Sequence, residues 1–258
     1  MDVQSVESMT VVSNPVSAPA NQLSEAITRL RSLTQISIQA DWRYCDEDLP
    51  IAQATQPETW HDWAIAPLNE KDHLAWTKGS RVRWFGQVIT VPQDLQGYPL
   101  TGLTLRVAAT WWATNAQLFV NGTFVQEGDL FDVSTRLLLS NAVAPGDTFA
   151  IALRLVSPGH DDGALVRSVC YYESSTDFPE PSFIADELDV LRLYLQTFAP
   201  EKLEFLSEAV SQIDWSTLPL PPSALSPLPS ALFTQTLTQL RDRLLPLSPS
   251  SNSVASAC

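Results

Sequence analysis

The residues best suited to polar chemistry in this sequence are a histidine and two aspartates in one short segment. His160, Asp161 and Asp162 stand between two glycines in the string GHDDG. Two carboxylates with carbonyl groups nearby could hold a calcium ion. The alternative, which we favour, is a tight turn stabilised by hydrogen bonds to the aspartate side chains.

The other candidates for metal binding or catalysis lack the spacing that such chemistry needs. His61 and His73 stand beside aspartates, but no His-x-His, H-E-x-x-H or cysteine pair accompanies them, so we interpret them as capping or loop residues. Glu127 and Asp129 suggest the carboxylate pair of a glycosidase, but acidic residues at a hairpin end are typical of solvated or capping groups. There is no G-x-S-x-G nucleophile elbow. We therefore expect no catalytic residue, metal ligand or cofactor in this chain.

The tryptophans are more informative, because the chain has eight of them. Sugar-binding surfaces use flat aromatic faces together with planar polar side chains. Trp60, Trp63 and Trp112, together with the GHDDG segment, are the candidate carbohydrate contacts. The alternative is that these tryptophans cover a β-sandwich or form an interface with a following domain.

Short strands separated by turns must position these residues. In 103–112, Leu103, Leu105, Val107, Ala109 and Trp111 alternate with residues of the opposite face, which places Trp112 outward. Asn121-Gly122 between two apolar runs predicts a tight hairpin. Gly86 marks a bulge or a close backbone approach. Strands are expected at 35–42, 82–91, 103–112, 117–120, 123–126, 136–140, 149–156 and 165–172. Such a series without intervening helices predicts a mainly β protein, an antiparallel sandwich or barrel.

Helical spacing occurs at both ends of the strand region. Apolar residues recur at three- and four-residue intervals in 22–33, 183–198, 201–213 and 232–245. The proline-rich string LPLPPSALSPLPS is a linker candidate, and the terminal SPSSNSVASAC has too few apolar residues to form a core. The predicted organisation is a disordered segment 1–20, a β-sandwich with its leading helix 21–175, a helical linker region 176–215, and 216–258 as linker, short helix and disordered tail.

Composition restricts the partners and the compartment. The formal net charge is -14, which disfavours nucleic acid and anionic membrane surfaces as partners. No apolar run approaches the length of a membrane-spanning helix, and the N-terminus lacks the basic region of a secretory signal. The three cysteines are widely spaced and read as free thiols. These features predict a cytoplasmic protein.

Several distinctive strings resemble a known family. VRWFGQVITVP and the long run from GYPLTGLTLRVAATWW to LVRSVCYYE are similar to the N-terminal region of bacterial, cyanobacterial-type glycoside hydrolase family 38 α-mannosidases. The similarity extends from about Leu33 to Ile213. It implies a galactose-binding-like jelly roll, whereas the residue pattern alone implies only an antiparallel sandwich.

The resemblance also implies that a catalytic domain follows, with a zinc ion held by a His-x-Asp motif and an aspartate nucleophile. The string His160-Asp161-Asp162 belongs to the sandwich part, so no zinc ligand or nucleophile is assigned here. The favoured hypothesis is therefore a non-catalytic accessory domain that supports hydrolysis of α-mannosides by a catalytic domain absent from this chain. The alternatives are a stand-alone module that binds α-mannosides or other oligosaccharides, and an interaction domain whose helix faces around Leu188–Leu195 and Leu203–Val210 pair chains into a homo-oligomer.

Overall fold

The computed structural model describes residues 17–174, 180–217 and 231–247, with side chains from residue 21 onward. Two antiparallel sheets form the centre, and helices lie at both ends of the chain. The strands are β1 (Gln35–Ser37), β2 (Arg43–Cys45), β3 (Ala64–Ile65), β4 (Leu74–Trp76), β5 (Val82–Thr90), β6 (Asp94–Leu95), β7 (Tyr98–Pro99), β8 (Thr104–Trp112), β9 (Asn115–Val120), β10 (Thr123–Gly128), β11 (Ser134–Ser140), β12 (Thr148–Val156) and β13 (Gly163–Glu173). The helices are α1 (Ser17–Ser32), α2 (Ile51–Ala54), α3 (Pro181–Phe198), α4 (Leu203–Ser211) and α5 (Ala231–Leu244).

The two sheets pack face to face as a sandwich. Sheet A has the strand order β1-β13-β8-β11, and β4 also pairs with β13. Sheet B has the order β10-β9-β12-β5-β2-β3. From β10 onward, successive strands alternate between the sheets, a connection pattern typical of jelly rolls. The predicted fold class, a mainly β antiparallel sandwich with a helix before it and helices after it, is confirmed.

Alternation along the strands builds the shared core between the sheets. On β8, Leu105, Val107, Ala109 and Trp111 are buried, while Trp112 is exposed, as predicted. The facing positions on β12 are Ile151, Leu153 and Leu155, which are also buried. Because the side-chain period of a strand is two, each inward residue fixes the outward position of its neighbour. This rule sets which side chains of sheet A can meet a ligand.

The Asn121-Gly122 pair forms the predicted hairpin turn between β9 and β10. Both residues have positive φ, 48° at Asn121 and 77° at Gly122, as a type I′ turn requires. The Asn121 side chain accepts a hydrogen bond from the Ala150 N–H at 2.9 Å. The local sequence therefore fixes this turn and ties it to β12.

Sheet B carries a second apolar layer on its outer face. Trp60 lies in a short helical segment, Pro57–Asp62, and Trp63 directly follows that segment. Both rings pack against Trp84 and Phe119. The Trp60 ring lies on the backbone of Gly86, where an added Cβ would come within 2.5 Å of ring atom Cδ2. Gly86 therefore serves a close approach and not a bulge, because the β5–β12 register is continuous there.

The helices form a bundle whose core is continuous with that of the sandwich. The apolar positions expected on the first helix, among them Leu23, Ile27 and Leu30, are buried. The Arg31 guanidinium bonds the carboxylates of Asp186 at 2.8 Å and Asp189 at 3.0 Å, which joins α1 to α3. The N-terminal and C-terminal helices thus stabilise each other although they are far apart in sequence.

Some expected boundaries and faces are wrong. Helix α1 begins at Ser17, so residues 17–20 belong to it and not to a disordered segment. The single strand expected over 35–42 is instead the short strand β1 followed by a helical turn, and β2 begins only after that range, at Arg43. The apolar faces expected to pair chains are inside the bundle, because Leu188, Leu191, Leu195, Leu206 and Val210 are buried.

Some predictions lie on residues outside the described ranges. These are the disorder expected at 1–16, the linker around 218–230 and the tail from 248 onward. The proposed division of the chain into domains stays a prediction. Among the residues described, no helix combines the length and apolar character that a membrane crossing needs.

The contact between Trp60 and Gly86 can be tested by adding one methyl group. We expect Gly86→Ala to lower the free energy of unfolding by about 2 kcal/mol, because the new Cβ would overlap the indole ring. Gly159→Ala is the matched control, since its nearest neighbour, the Ser80 Oγ, would be 3.9 Å away. Urea denaturation measures both, and equal midpoints for the two variants would contradict the packing described.

Candidate functional site

The outer face of sheet A is an open surface built by alternate residues of three neighbouring strands. The register places Thr110 of β8 opposite Ser134 of β11 and Arg167 of β13. Two residues away along β8, Ala108 lies between Arg136 and Val169. Small residues of β8 thus lie in the middle of this face, and each has one arginine beside it, Arg167 on β13 or Arg136 on β11.

Trp112 and the GHDDG segment lie at the same end of this face. Trp112 is 37% exposed and pairs with Ala164 of β13, which follows the segment directly. The Asp162 carboxylate accepts the Lys78 N–H at 3.0 Å, and the Asp161 carboxylate accepts the Asp162 N–H at 2.9 Å. Both aspartate side chains therefore accept backbone N–H groups, and their roles as sugar contacts or as a calcium site stay predictions.

A charged and aromatic network covers the other end of the face. Glu173 accepts hydrogen bonds from Arg106, at 2.9 Å, and from Arg136. The Arg136 guanidinium lies 5.1 Å from the centre of the Tyr171 ring, and Arg167 donates to the Tyr171 hydroxyl at 3.1 Å. Cation–π and carboxylate contacts therefore hold the ring and the guanidinium groups in defined positions.

Arg167 differs from the other two arginines of this face. Among the described residues it has no carboxylate within ion-pair distance, whereas Arg106 and Arg136 share Glu173. Its side chain is exposed, and it pairs with Thr110, which is the next residue on the same face of β8 as Trp112. Part of its hydrogen-bonding capacity can therefore be directed to a ligand next to the Trp112 ring.

Trp60 and Trp63 do not join this surface. They lie on the opposite sheet and are 3% and 8% exposed. The Trp60 indole N–H donates to the Ala54 carbonyl at 2.9 Å, and its ring covers Gly86. Trp76 is also buried, edge-on to Phe85 in the sandwich core. Trp60 and Trp63 therefore cover the outer face of sheet B, as in the alternative interpretation, and in this structure neither ring is exposed to a sugar.

The remaining reactive groups have structural roles. The Asp129 carboxylate accepts the N–H groups of Phe131 and Asp132, and these bonds lower its pKa below the ordinary value. Burial raises the pKa of the Cys170 thiol to about 12, so this thiol stays protonated at neutral pH. Within the described ranges there is no cluster of three or more histidine, cysteine or acidic side chains suited to a metal ion.

Sequence reasoning missed Tyr171 and the arginines of this face. Tyr171 was counted only as a strand residue, and Arg106 and Arg136 are 30 positions apart along the chain. They could have been found from the alternation of side chains along β8 and β13. The residues that point into the core determine which of their neighbours point outward. Which strands are neighbours, and hence which outward residues meet, requires the sheet order.

Glu180 adds a buried carboxyl beside this network. Burial raises its pKa above the ordinary value, and the hydrogen bonds from the Ser182 hydroxyl and the Ser174 N–H act in the opposite direction. The nearby Glu173 raises the pKa further, while Arg136 lowers it. The protonated form of Glu180 is therefore favoured by folding.

No protein-family model and no curated protein matches the sequence. Similar solved structures include a glycosyl hydrolase family 2 member from Bacteroides cellulosilyticus, with 16% sequence identity and a TM-score of 0.43. The β-glucuronidase from Bacteroides uniformis has 15% identity and a TM-score of 0.39, and that from Ruminococcus gnavus has 7% and 0.36. They cover 54%, 53% and 55% of this chain, respectively.

This chain spans a minor part of each of those proteins, namely 20%, 17% and 28% of their length. The three similarities are to one family 2 glycosyl hydrolase and two β-glucuronidases and do not test the resemblance to family 38 α-mannosidases, which stays a prediction. The structure is an antiparallel β-sandwich with terminal helices, and the outer face of its sheet A carries arginines and exposed aromatic residues.

The raised pKa of Glu180 gives a pH dependence with a defined sign. As pH rises from the ordinary carboxyl pKa through the raised folded value, the unfolded state loses its proton first, so the folded state loses stability. Glutamine does not titrate, so the stability of Glu180→Gln lacks this pH dependence. As pH rises from the ordinary carboxyl pKa to the raised one, the free energy of unfolding of the variant should therefore increase relative to that of the parent. Above the raised pKa the difference between the two proteins should be constant. Urea denaturation between pH 4 and 8 measures this. Glu127→Gln, at an exposed position of β10, is the control, and a flat difference for Glu180→Gln would contradict the assignment.

Proposed function

We propose that this chain is a non-catalytic, carbohydrate-binding β-sandwich that works beside a glycoside hydrolase catalytic domain. The observation that carries the proposal is the exposed Trp112 ring at one end of the outer face of sheet A, where the paired residues Thr110 and Arg167 are the next along that face. A sugar ring can stack its C–H face on the indole while its hydroxyls bond the guanidinium and the threonine. The GHDDG loop, with His160, Asp161 and Asp162, borders the same end of the face and supplies further polar contacts.

The finer form of the proposal follows the sequence resemblance. The sugar is an α-mannoside or an oligosaccharide containing it, and the catalytic domain is of the family 38 α-mannosidase kind. In that arrangement zinc belongs to the catalytic domain and this chain supplies no cofactor. A cytoplasmic location remains part of the same prediction.

The open site implies weak binding. A single exposed ring on a flat sheet buries little ligand surface, so we expect dissociation constants in the millimolar range. Longer oligosaccharides should bind more tightly than mannose, because Thr110, Ala108 and Arg106 continue the face along β8 for about 20 Å. The face can therefore follow several sugar units in a row.

Removing the Trp112 ring tests the binding site. We expect Trp112→Ala to lower the affinity for manno-oligosaccharides about tenfold or more, because the stacking surface is lost while the fold remains. Isothermal titration calorimetry at millimolar ligand measures the affinity. Mannobiose is titrated first, and a linear glucan is the second ligand.

Phe131→Ala is the matched control for this titration. Phe131 is an aromatic residue that is 94% exposed in the loop between β10 and β11, and we expect its loss to leave sugar affinity unchanged. Absence of binding heat with every sugar would contradict carbohydrate binding. Equal losses in the two variants would instead contradict the assignment to the Trp112 end of sheet A.

The cooperation with a catalytic domain needs a separate test. We expect the purified chain with zinc to leave an aryl α-mannoside unhydrolysed, and to raise the activity of a separately expressed family 38 catalytic domain on mixing. Hydrolysis by the chain alone, after contaminating mannosidase is excluded, would contradict the non-catalytic assignment. No gain on mixing would contradict the partnership but not the sugar binding.

A further inference from the structure

The outer face of sheet A reverses the charge balance of the rest of the chain. In the whole sequence, 29 acidic residues stand against 15 lysines and arginines. Among the outward residues of the described strands of sheet A, the charged ones are three arginines and one glutamate, namely Arg106, Arg136, Arg167 and Glu173. Cations gathered on one face of an acidic protein attract an anionic ligand to that face.

The carboxylate of Glu173 neutralises only part of this positive charge. It bonds Arg106 and Arg136 at once, so two guanidinium groups share one carboxylate. Glu180 lies close to this network, where it accepts hydrogen bonds from the Ser174 N–H and the Ser182 hydroxyl. Even with Glu180 counted as ionised, three positive charges stand against two negative ones.

Arg167 is the arginine of this face that has no carboxylate partner among the described residues. A guanidinium carries five N–H donors in a planar fork. The Tyr171 hydroxyl takes one of those of Arg167, at 3.1 Å, and the Arg136 guanidinium lies 5.1 Å from the centre of the same ring. Tyr171 therefore holds Arg167 in place, while one edge of its fork stays open for two parallel hydrogen bonds.

This open guanidinium is the next polar group along the face from the Trp112 ring. Arg167 pairs with Thr110, and Thr110 is one step from Trp112 on the same side of β8, about 7 Å away. A pyranose stacked on Trp112 therefore has Thr110 and Arg167 on its side toward the middle of the sheet. A substituent of the sugar on that side can reach the guanidinium.

The charges at the opposite side of Trp112 set the direction of an anionic ligand. The loops at that end of the sheet carry more acidic than basic side chains, namely Asp129, Asp132, Asp161 and Asp162 against Lys78, Arg81 and the titratable His160. A negative group on the sugar is repelled from these loops and attracted toward the arginines. A neutral sugar has no such preference.

We propose that the sugar bound on this face is acidic, a pyranose stacked on Trp112 whose carboxylate or phosphate accepts two hydrogen bonds from Arg167. This inference rests on the proposed carbohydrate binding by sheet A and adds the charge of the ligand to it. Among α-mannosides, the preferred ligand carries its anionic group on carbon 6. That exocyclic carbon can bear a carboxylate or a phosphate while the ring and its other hydroxyls stay unchanged.

Three methyl α-mannosides that differ only at carbon 6 test the preference. They are the neutral mannoside, its 6-carboxylate and its 6-phosphate. Titration of the Trp112 indole N–H shift in the full chain measures their affinities at about 0.1 M salt, where charges within about 10 Å still interact. We expect at least one anionic mannoside to bind about fivefold more tightly than the neutral one at matched ionic strength. The tighter of the two identifies the anionic group.

Two arginine variants test the assignment to Arg167. Arg167→Gln should abolish the difference in affinity between the anionic and the neutral mannosides. Arg243→Gln removes the same charge from an exposed position of α5 and should keep that difference. The dispersion of each spectrum verifies that the variant is folded. A difference that survives in Arg167→Gln, or that both variants lose equally, would overturn the role of Arg167.

The titration of the parent chain separates this inference from the proposed function. Equal affinities for all three mannosides would overturn the preference for an acidic sugar and leave carbohydrate binding by sheet A intact. The absence of any shift with all three would contradict both.

Discussion

The contact between the Trp60 ring and the bare backbone of Gly86 governs how the two sheets differ. Because Gly86 has no side chain, the indole can lie directly on sheet B and, together with Trp63, cover Trp84 and Phe119. Sheet B therefore has an apolar cluster on its outer face in addition to the core on its inner face. On sheet A the outward residues Trp112 and Arg167 remain exposed, so a ligand can approach them without any rearrangement of the fold. The carbohydrate proposal depends on this difference between two sheets that share one core.

The helices complete that core and at the same time create a second surface. Tyr98 of β7 contacts Phe233 of α5, and Arg31 of α1 bonds two carboxylates of α3. These contacts fix the rotation of α3, because its Leu188 face must stay inside the bundle. The opposite side of α3, with Val190 and Leu193, is then exposed as a consequence.

The sequence predicts those features that depend on local rules. Alternation identifies β8 and its inward residues, the Asn-Gly pair identifies the β9–β10 turn, and helical spacing identifies α3 and α5. Composition cannot distinguish a buried tryptophan from a binding one, which is why Trp60 and Trp63 were expected in the site. Their burial depends on Gly86, which lies 26 and 23 positions further along the chain. Likewise, Tyr171 and Arg167 become site residues only through the pairing of β13 with β8, a contact between segments about 60 residues apart.

The most direct test of the central claim is to record which tryptophan indole N–H groups respond to sugar. In a two-dimensional ¹H–¹⁵N spectrum of the labelled chain, each of the eight tryptophans gives its own indole resonance. With manno-oligosaccharides at millimolar concentration, the Trp112 resonance should shift progressively while those of the buried Trp60, Trp63 and Trp84 stay in place. Shifts at Trp60 or Trp63 with an unchanged Trp112 would contradict the account, because they would place the ligand on sheet B.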